Sequence, residues 1–141
     1  MTSDNKCIFC NFDPEYVITQ TDLSFATYIS KAIKEGHFVV ATKDHVPTFS
    51  ELTEPEAADL VSLALRLAKA AQRLIGAEKY YLVSIGDLDP HFHIHLIPKM
   101  AEDSPMGKHI MLESGWKGEV GQVVTHDQVQ WFIESLRGSG S

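Results

Sequence analysis

The chain has 141 residues, enough for one domain with a sizeable core. Its hydrophobic content of 44% and charged content of 22% are those of an ordinary globular protein. A formal net charge of -7 with no stripe of Lys or Arg argues against a nucleic-acid polymer as partner, yet a small phosphorylated ligand can still be met by imidazoles or helix N-termini.

No apolar run approaches the ~18–20 residues of a membrane span. The opening Met1-Thr2-Ser3-Asp4-Asn5-Lys6 is polar and lacks the apolar stretch of a signal peptide. A cytoplasmic chain without membrane contact is the expectation, and in that reducing compartment Cys7 and Cys10 are not expected to form a structural disulfide. Residues 1–137 are expected to form a single domain, and Gly138-Ser139-Gly140-Ser141 has the composition of a flexible appended tail.

Tyr16 to Thr19 is a short β-branched and aromatic run that predicts a strand, and Ser24 to Ile29 predicts a second. Gly36 precedes a third strand, His37 to Thr42. Lys43-Asp44-His45-Val46-Pro47 reads as a turn, with Pro47 blocking a continued ladder. The long helix follows. Thr53 is its N-cap, Pro55 lies in the first turn, and Glu54 and Glu56 suit the positive end of the dipole. Leu60, Leu63, Leu67, Ala71 and Leu74 form one apolar stripe, and Gly76 ends the pattern. Tyr80 to Ile85 predicts a strand, Gly86 to Pro90 a hairpin turn, and His91 to Ile97 a further strand stopped by Pro98. Residues 101–124 carry no period and read as irregular. Asp127 to Leu136, capped by Thr125, predicts a closing helix. Strands interrupted by a single long helix indicate an α+β fold with a mostly antiparallel sheet.

Alternate strand residues share a face, so His91, His93 and His95 should lie in a row, ~6–7 Å apart, with Phe92, Ile94 and Leu96 turned to the core. Three imidazoles in a row make a poor core, because each buried ring needs polar partners. They read as a site. A neutral imidazole is available near pH 7 to attack phosphorus, and the phosphoimidazole then yields to water. Cys7-x-x-Cys10 has three readings from its residues alone: a redox pair, half a zinc site, or two unrelated thiols. It lies before the first strand, whereas a redox pair normally opens a helix after one. His109 and His126 fall outside every motif and read as surface residues.

The run His91-Phe92-His93-Ile94-His95-Leu96-Ile97-Pro98-Lys99 resembles the signature of the histidine triad family. Cys7-Ile8-Phe9-Cys10, Gly36-His37 and Lys43-Asp44-His45-Val46 extend the resemblance over most of the core. It implies an α+β fold of the family's type, with a five-stranded sheet, one long helix and a C-terminal helix. It implies a nucleotidyl hydrolase with His93 as nucleophile on an α-phosphorus, and His95 and His37 on the phosphate and leaving group. It implies a structural zinc held by Cys7, Cys10, His45 and His91, a small nucleotide substrate and a homodimer. Two departures bear on recognition. Ile29 stands eight residues before His37, where members commonly carry an Asp or Asn that holds the ribose hydroxyls. Gly86-Asp87-Leu88-Asp89-Pro90 is shorter than the family's phosphate-contacting stretch before the triad. Beside hydrolysis of a phosphoanhydride or phosphoramidate stand a transferase with phosphate or another acceptor, a binding module without turnover, and a zinc-stabilised structural subunit.

Overall fold

The computed structural model describes residues 7–28, 35–87, 89–103 and 125–139. Five strands, β1 (Val17–Gln20), β2 (Ser24–Thr27), β3 (Phe38–Thr42), β4 (Lys79–Val83) and β5 (His93–Lys99), form one sheet in the order β1-β2-β3-β5-β4. Every neighbouring pair is antiparallel. Helix α1 (Glu54–Ile75) links β3 to β4, and α2 (His126–Ser139) closes the chain. The expected α+β architecture is the one observed.

Local chemistry sets the ends of α1. The Thr53 hydroxyl accepts from the Glu56 N–H while the Glu56 carboxylate accepts from the Thr53 N–H, a reciprocal capping box. Gly76 ends the helix in the left-handed conformation at φ 70°, which glycine adopts without a Cβ penalty. Thr125 and Gln128 repeat the capping box on α2. That helix runs from His126 to Ser139, past the end expected at Leu136, and Gly140 and Ser141 lie outside the described residues.

One sheet face carries the main core. Leu60, Leu63, Leu67 and Ala71 of α1 and Phe132, Ile133 and Leu136 of α2 pack on Ala26, Phe38, Val40 and Leu96. Phe92 and Ile94 join them, as the alternation predicted. The opposite face bears Phe25, Val39 and Ala41 and is covered by the N-terminal segment through Phe9, Cys7 and Phe12. The imidazoles belong to this second face, because His93 pairs with Ala41 and His95 with Val39.

Two expectations about the triad strand need correction. It begins at His93, not His91. Its neighbour β3 ends at Thr42, one residue past the partner of His93, and the chain then turns away, so no ladder remains for His91. Nor does Pro98 stop the strand: it lies within β5, opposite Tyr80. Pairing with β3 ends at Leu96, so a residue lacking an N–H is tolerated with one flank outside that ladder. Elsewhere the bounds shift by a residue or two, and Tyr16 falls in a 3₁₀ turn, Pro14–Tyr16, rather than in β1. Ile29, Leu88, His109 and nearly all of 101–124 lie outside the described residues. His126 is exposed at the start of α2, as expected.

Candidate active site and metal centre

His93 and His95 reach the site because β5 is an inner strand of the sheet, and His37 reaches it from the entry to β3. Gly36 makes that entry possible. Its φ is 92°, and a Cβ there would meet Ile75 Cδ1 at 2.6 Å. The Tyr80 hydroxyl donates to the Gly36 carbonyl at 2.8 Å, fixing the backbone just before His37.

The three rings form a connected row. His37 Nε2 lies 2.9 Å from His95 Nδ1, and the His93 and His95 rings meet edge to face with centroids 4.9 Å apart. His93 Nδ1 lies 2.6 Å from the carbonyl oxygen of His91. A carbonyl only accepts, so Nδ1 carries the proton and Nε2 keeps its lone pair. The Ser84 hydroxyl donates to the His93 carbonyl at 2.7 Å, tying the start of β5 to the residue after β4. Phe9 stacks on His93 with centroids 4.4 Å apart and planes 30° apart.

Burial holds all three imidazoles neutral. It pushes His37 well below the ordinary histidine range, with His95 adding to the effect. It lowers His95 to about 3, helped by His93. His93 is also lowered by burial, against opposing contributions from its bond to the His91 carbonyl and from Asp89. A cleft of about 450 Å³ opens between the end of β4 and the loop after β3, and its lining includes Phe49, Leu82, Ser84, Phe92 and His93.

His91 has left this row. Its ring joins Cys7, Cys10 and His45, and one ligand atom from each of the four lies within 4.8 Å of every other. Cys7 Sγ is 3.3 Å and Cys10 Sγ 3.5 Å from His91 Nδ1, Cys10 Sγ is 3.2 Å from His45 Nδ1, and the two Nδ1 atoms are 3.2 Å apart. Bond lengths of ~2.3 Å to sulfur and ~2.0 Å to nitrogen give tetrahedral edges of roughly 3.3–3.8 Å, so the donor set fits zinc. His91 Nε2 donates to the Thr42 carbonyl at 2.7 Å, which leaves Nδ1 as the ligand nitrogen. Cys7 and Cys10 are not joined in a disulfide.

Every residue expected at a site is therefore brought to one of two adjoining clusters. Three contributors escaped the sequence reading. Phe9 carried a signal, since it lies between the two cysteines. Thr42 acts through its carbonyl and Ser84 through a single hydroxyl, and neither has a mark in sequence.

A sheet with three connected imidazoles beside a Cys2His2 cluster defines a histidine-triad type of nucleotide-site protein. Residues 12–102 match the HIT domain model, and the chain belongs to the histidine triad family. It is 30% identical over 111 residues to adenosine 5'-monophosphoramidase hnt1 of Schizosaccharomyces pombe, covering 72% of this chain and 80% of that one. It is 31% identical over 104 residues to the nitrilase and fragile histidine triad fusion protein NitFhit of Caenorhabditis elegans, covering 66% of this chain but 22% of that larger one. In fold it is similar to a Zn-bound histidine triad family protein from Mycobacterium smegmatis, with TM-score 0.67 and 16% identity over 96% of this chain and 99% of that one. The chain is thus homologous to HIT hydrolases of nucleotide phosphoramidates and phosphoanhydrides, and its four-residue cluster is consistent with a zinc-binding member. No described helix is long and apolar enough to cross a membrane.

Proposed function

We propose that the protein is a nucleotidyl hydrolase in which His93 attacks the α-phosphorus of a small nucleotide. The observation that carries the reading is the 2.6 Å contact between His93 Nδ1 and the His91 carbonyl, which leaves the Nε2 lone pair for phosphorus. In the first step an Nε2–P bond forms and the bond from phosphorus to the leaving group breaks, the leaving group departing with that electron pair and, where it is an amine, with a proton taken up from solvent. Nδ1 keeps its proton, donated to the His91 carbonyl, and this hydrogen bond supports the cationic phosphoimidazole. In the second step water attacks phosphorus, the Nε2–P bond breaks, and the water proton passes to solvent as the nucleoside monophosphate leaves.

His37 and His95 serve the phosphate and leaving group. With His37 donating from Nε2 to His95 Nδ1, the remaining His95 proton sits on Nε2 and is available to an oxygen or nitrogen of the substrate. The related monophosphoramidase and a related bis(5'-adenosyl)-triphosphatase of Dictyostelium discoideum suggest two leaving-group classes, an amine and a nucleoside polyphosphate. A transferase would differ only in the acceptor that replaces water.

Cys7, Cys10, His45 and His91 hold a structural zinc in this reading. When bound, it would cross-link the N-terminal segment, the loop after β3 and the segment leading into β5. The working unit is a homodimer joined at edge strand β4 and α1, where Leu82, Val61 and Leu65 are exposed.

The test is a panel of nucleotide phosphoramidates and dinucleoside polyphosphates, with His93→Ala as control. Rapid quenching followed by peptide mass analysis should find a nucleotidyl adduct on His93. Turnover without any adduct, and with His93→Ala active, would overturn the mechanism. Adduct formation that resolves only with an added acceptor would instead identify a transferase.

A further inference from the structure

We propose that Phe9 is a positioning residue for His93, and that the four-residue cluster grips the nucleophile from two sides. The inference rests on the assignment of His93 as nucleophile for its kinetic consequence, but not for its structural one.

The first grip is the ring of Phe9. It is 3% exposed, seated on Phe25, Val39 and Ala41, and its face lies on His93 at 4.4 Å. Cys7 and Cys10 flank it in sequence, and both belong to the cluster. The segment is a tight turn in which the Asn11 N–H donates to the Cys7 carbonyl at 3.1 Å and the Cys10 N–H to Cys7 Sγ at 3.4 Å. Anchoring both thiols fixes the turn, and the turn fixes Phe9.

The second grip is His91. Its ring is tied into the cluster at Nδ1 and to the Thr42 carbonyl at Nε2, so its backbone has little freedom. The carbonyl of this same residue receives the His93 Nδ1 proton. One restraint sets the tilt of the His93 ring and the other its rotation and tautomer. A ring free to turn over would present Nδ1–H or a misdirected lone pair to phosphorus. Reactions of this kind lose rate steeply when the attacking atom is misplaced, on the order of 10²-fold for about 1 Å.

The experiment uses full-length, metal-loaded protein labelled with ¹⁵N-histidine, at a single pH near neutrality. In wild type, His93 should show one tautomer with a protected Nδ1 proton. Phe9→Leu removes the flat face and should mix the His93 ring states, with zinc content and circular dichroism retained. With a nucleotide substrate, kcat should fall by about 10- to 100-fold while KM holds. Phe9→Tyr keeps the flat face and should restore both the ring signal and kcat. Chelation of the metal should disturb the same His93 signal in the wild-type chain. If Phe9→Leu does not fold, Phe9→Met fills the space without a flat face and is held to the same outcome. Wild-type His93 signals and kcat in the folded Leu or Met variant would overturn the proposal. The ring signals need no turnover, so a chain inactive on every nucleotide would sink the hydrolase reading and leave this one to be judged on its spectra.

Discussion

The carbonyl of His91 accepts the Nδ1 proton of His93 at 2.6 Å, while the His91 ring lies in the Cys7-Cys10-His45 cluster. Two neighbouring histidines of one motif thus take different roles, and the backbone of the first serves the ring of the second. The reason is that the ladder between β3 and β5 ends at the pair Ala41 and His93. His93 is held by the sheet, whereas His91 is outside it and free to face the cysteines.

The roles along the triad predict a graded loss of rate. Removing the nucleophile with His93→Ala should lower kcat by as much as ~10⁶-fold. His95→Ala should cost ~10²–10⁴-fold, the range of acid–base and electrostatic helpers. Both are to be measured on one nucleotide substrate, with folding checked by circular dichroism. More than a few per cent of activity in His93→Ala would contradict the covalent route.

Zinc should be found at about one ion per chain in protein purified without chelator, by elemental analysis. Its ligands come from three separate segments, so its binding energy is also folding energy. Cys7→Ala and His45→Ala should each lower the melting temperature, and a chelator should lower that of wild type. A metal-free chain that melts at the same temperature as the purified protein would end this assignment.

Burial of the neutral imidazoles predicts acid sensitivity. The His95 pKa is about 3 in the folded chain against an ordinary ~6.5 when unfolded. Below ~6.5 the unfolded chain takes up a proton that the folded chain refuses. Stability from this group is therefore full above ~6.5 and is lost as pH falls toward ~3, by about 1.4 kcal/mol per pH unit. Urea unfolding of wild type and His95→Asn at two pH values across that window tests the sign. The variant should lose less stability on acidification, because metal release is common to both chains. Equal losses would show that His95 does not carry the effect.

Weak discrimination at the sugar is expected from Ile29, whose side chain cannot accept a hydrogen bond from ribose hydroxyls. Ribonucleotide and 2',3'-dideoxyribonucleotide substrates should differ little in kcat/KM. A large preference for the ribo form would mean that another residue has taken over that contact.

Assembly through β4 predicts a dimer mass by light scattering. Leu82 is 62% exposed on that edge strand, and Leu82→Lys should shift the equilibrium toward monomer without unfolding the chain. A monomer mass at all concentrations would refute the dimer.

Much of this could be read along the chain because it depends on neighbours in sequence. The N-cap at Thr53, the stripe from Leu60 to Ala71 and the glycine stop at Gly76 are local, and each stands where the residues placed it. Alternation along His93-Ile94-His95-Leu96 likewise sorted imidazoles from core side chains, because strand geometry alternates without regard to the rest of the fold. What the tertiary structure decided are properties set by partners distant in sequence. Where β5 begins depends on where β3 ends, so His91 left the row that its spacing suggested. Pro98 stayed in a strand because pairing with β3 had already ended at Leu96. Phe9 reached His93, 84 positions away, because the N-terminal segment covers the sheet face opposite α1. The protonation state of His95 depends on what buries it, and no residue pattern along one strand carries that information.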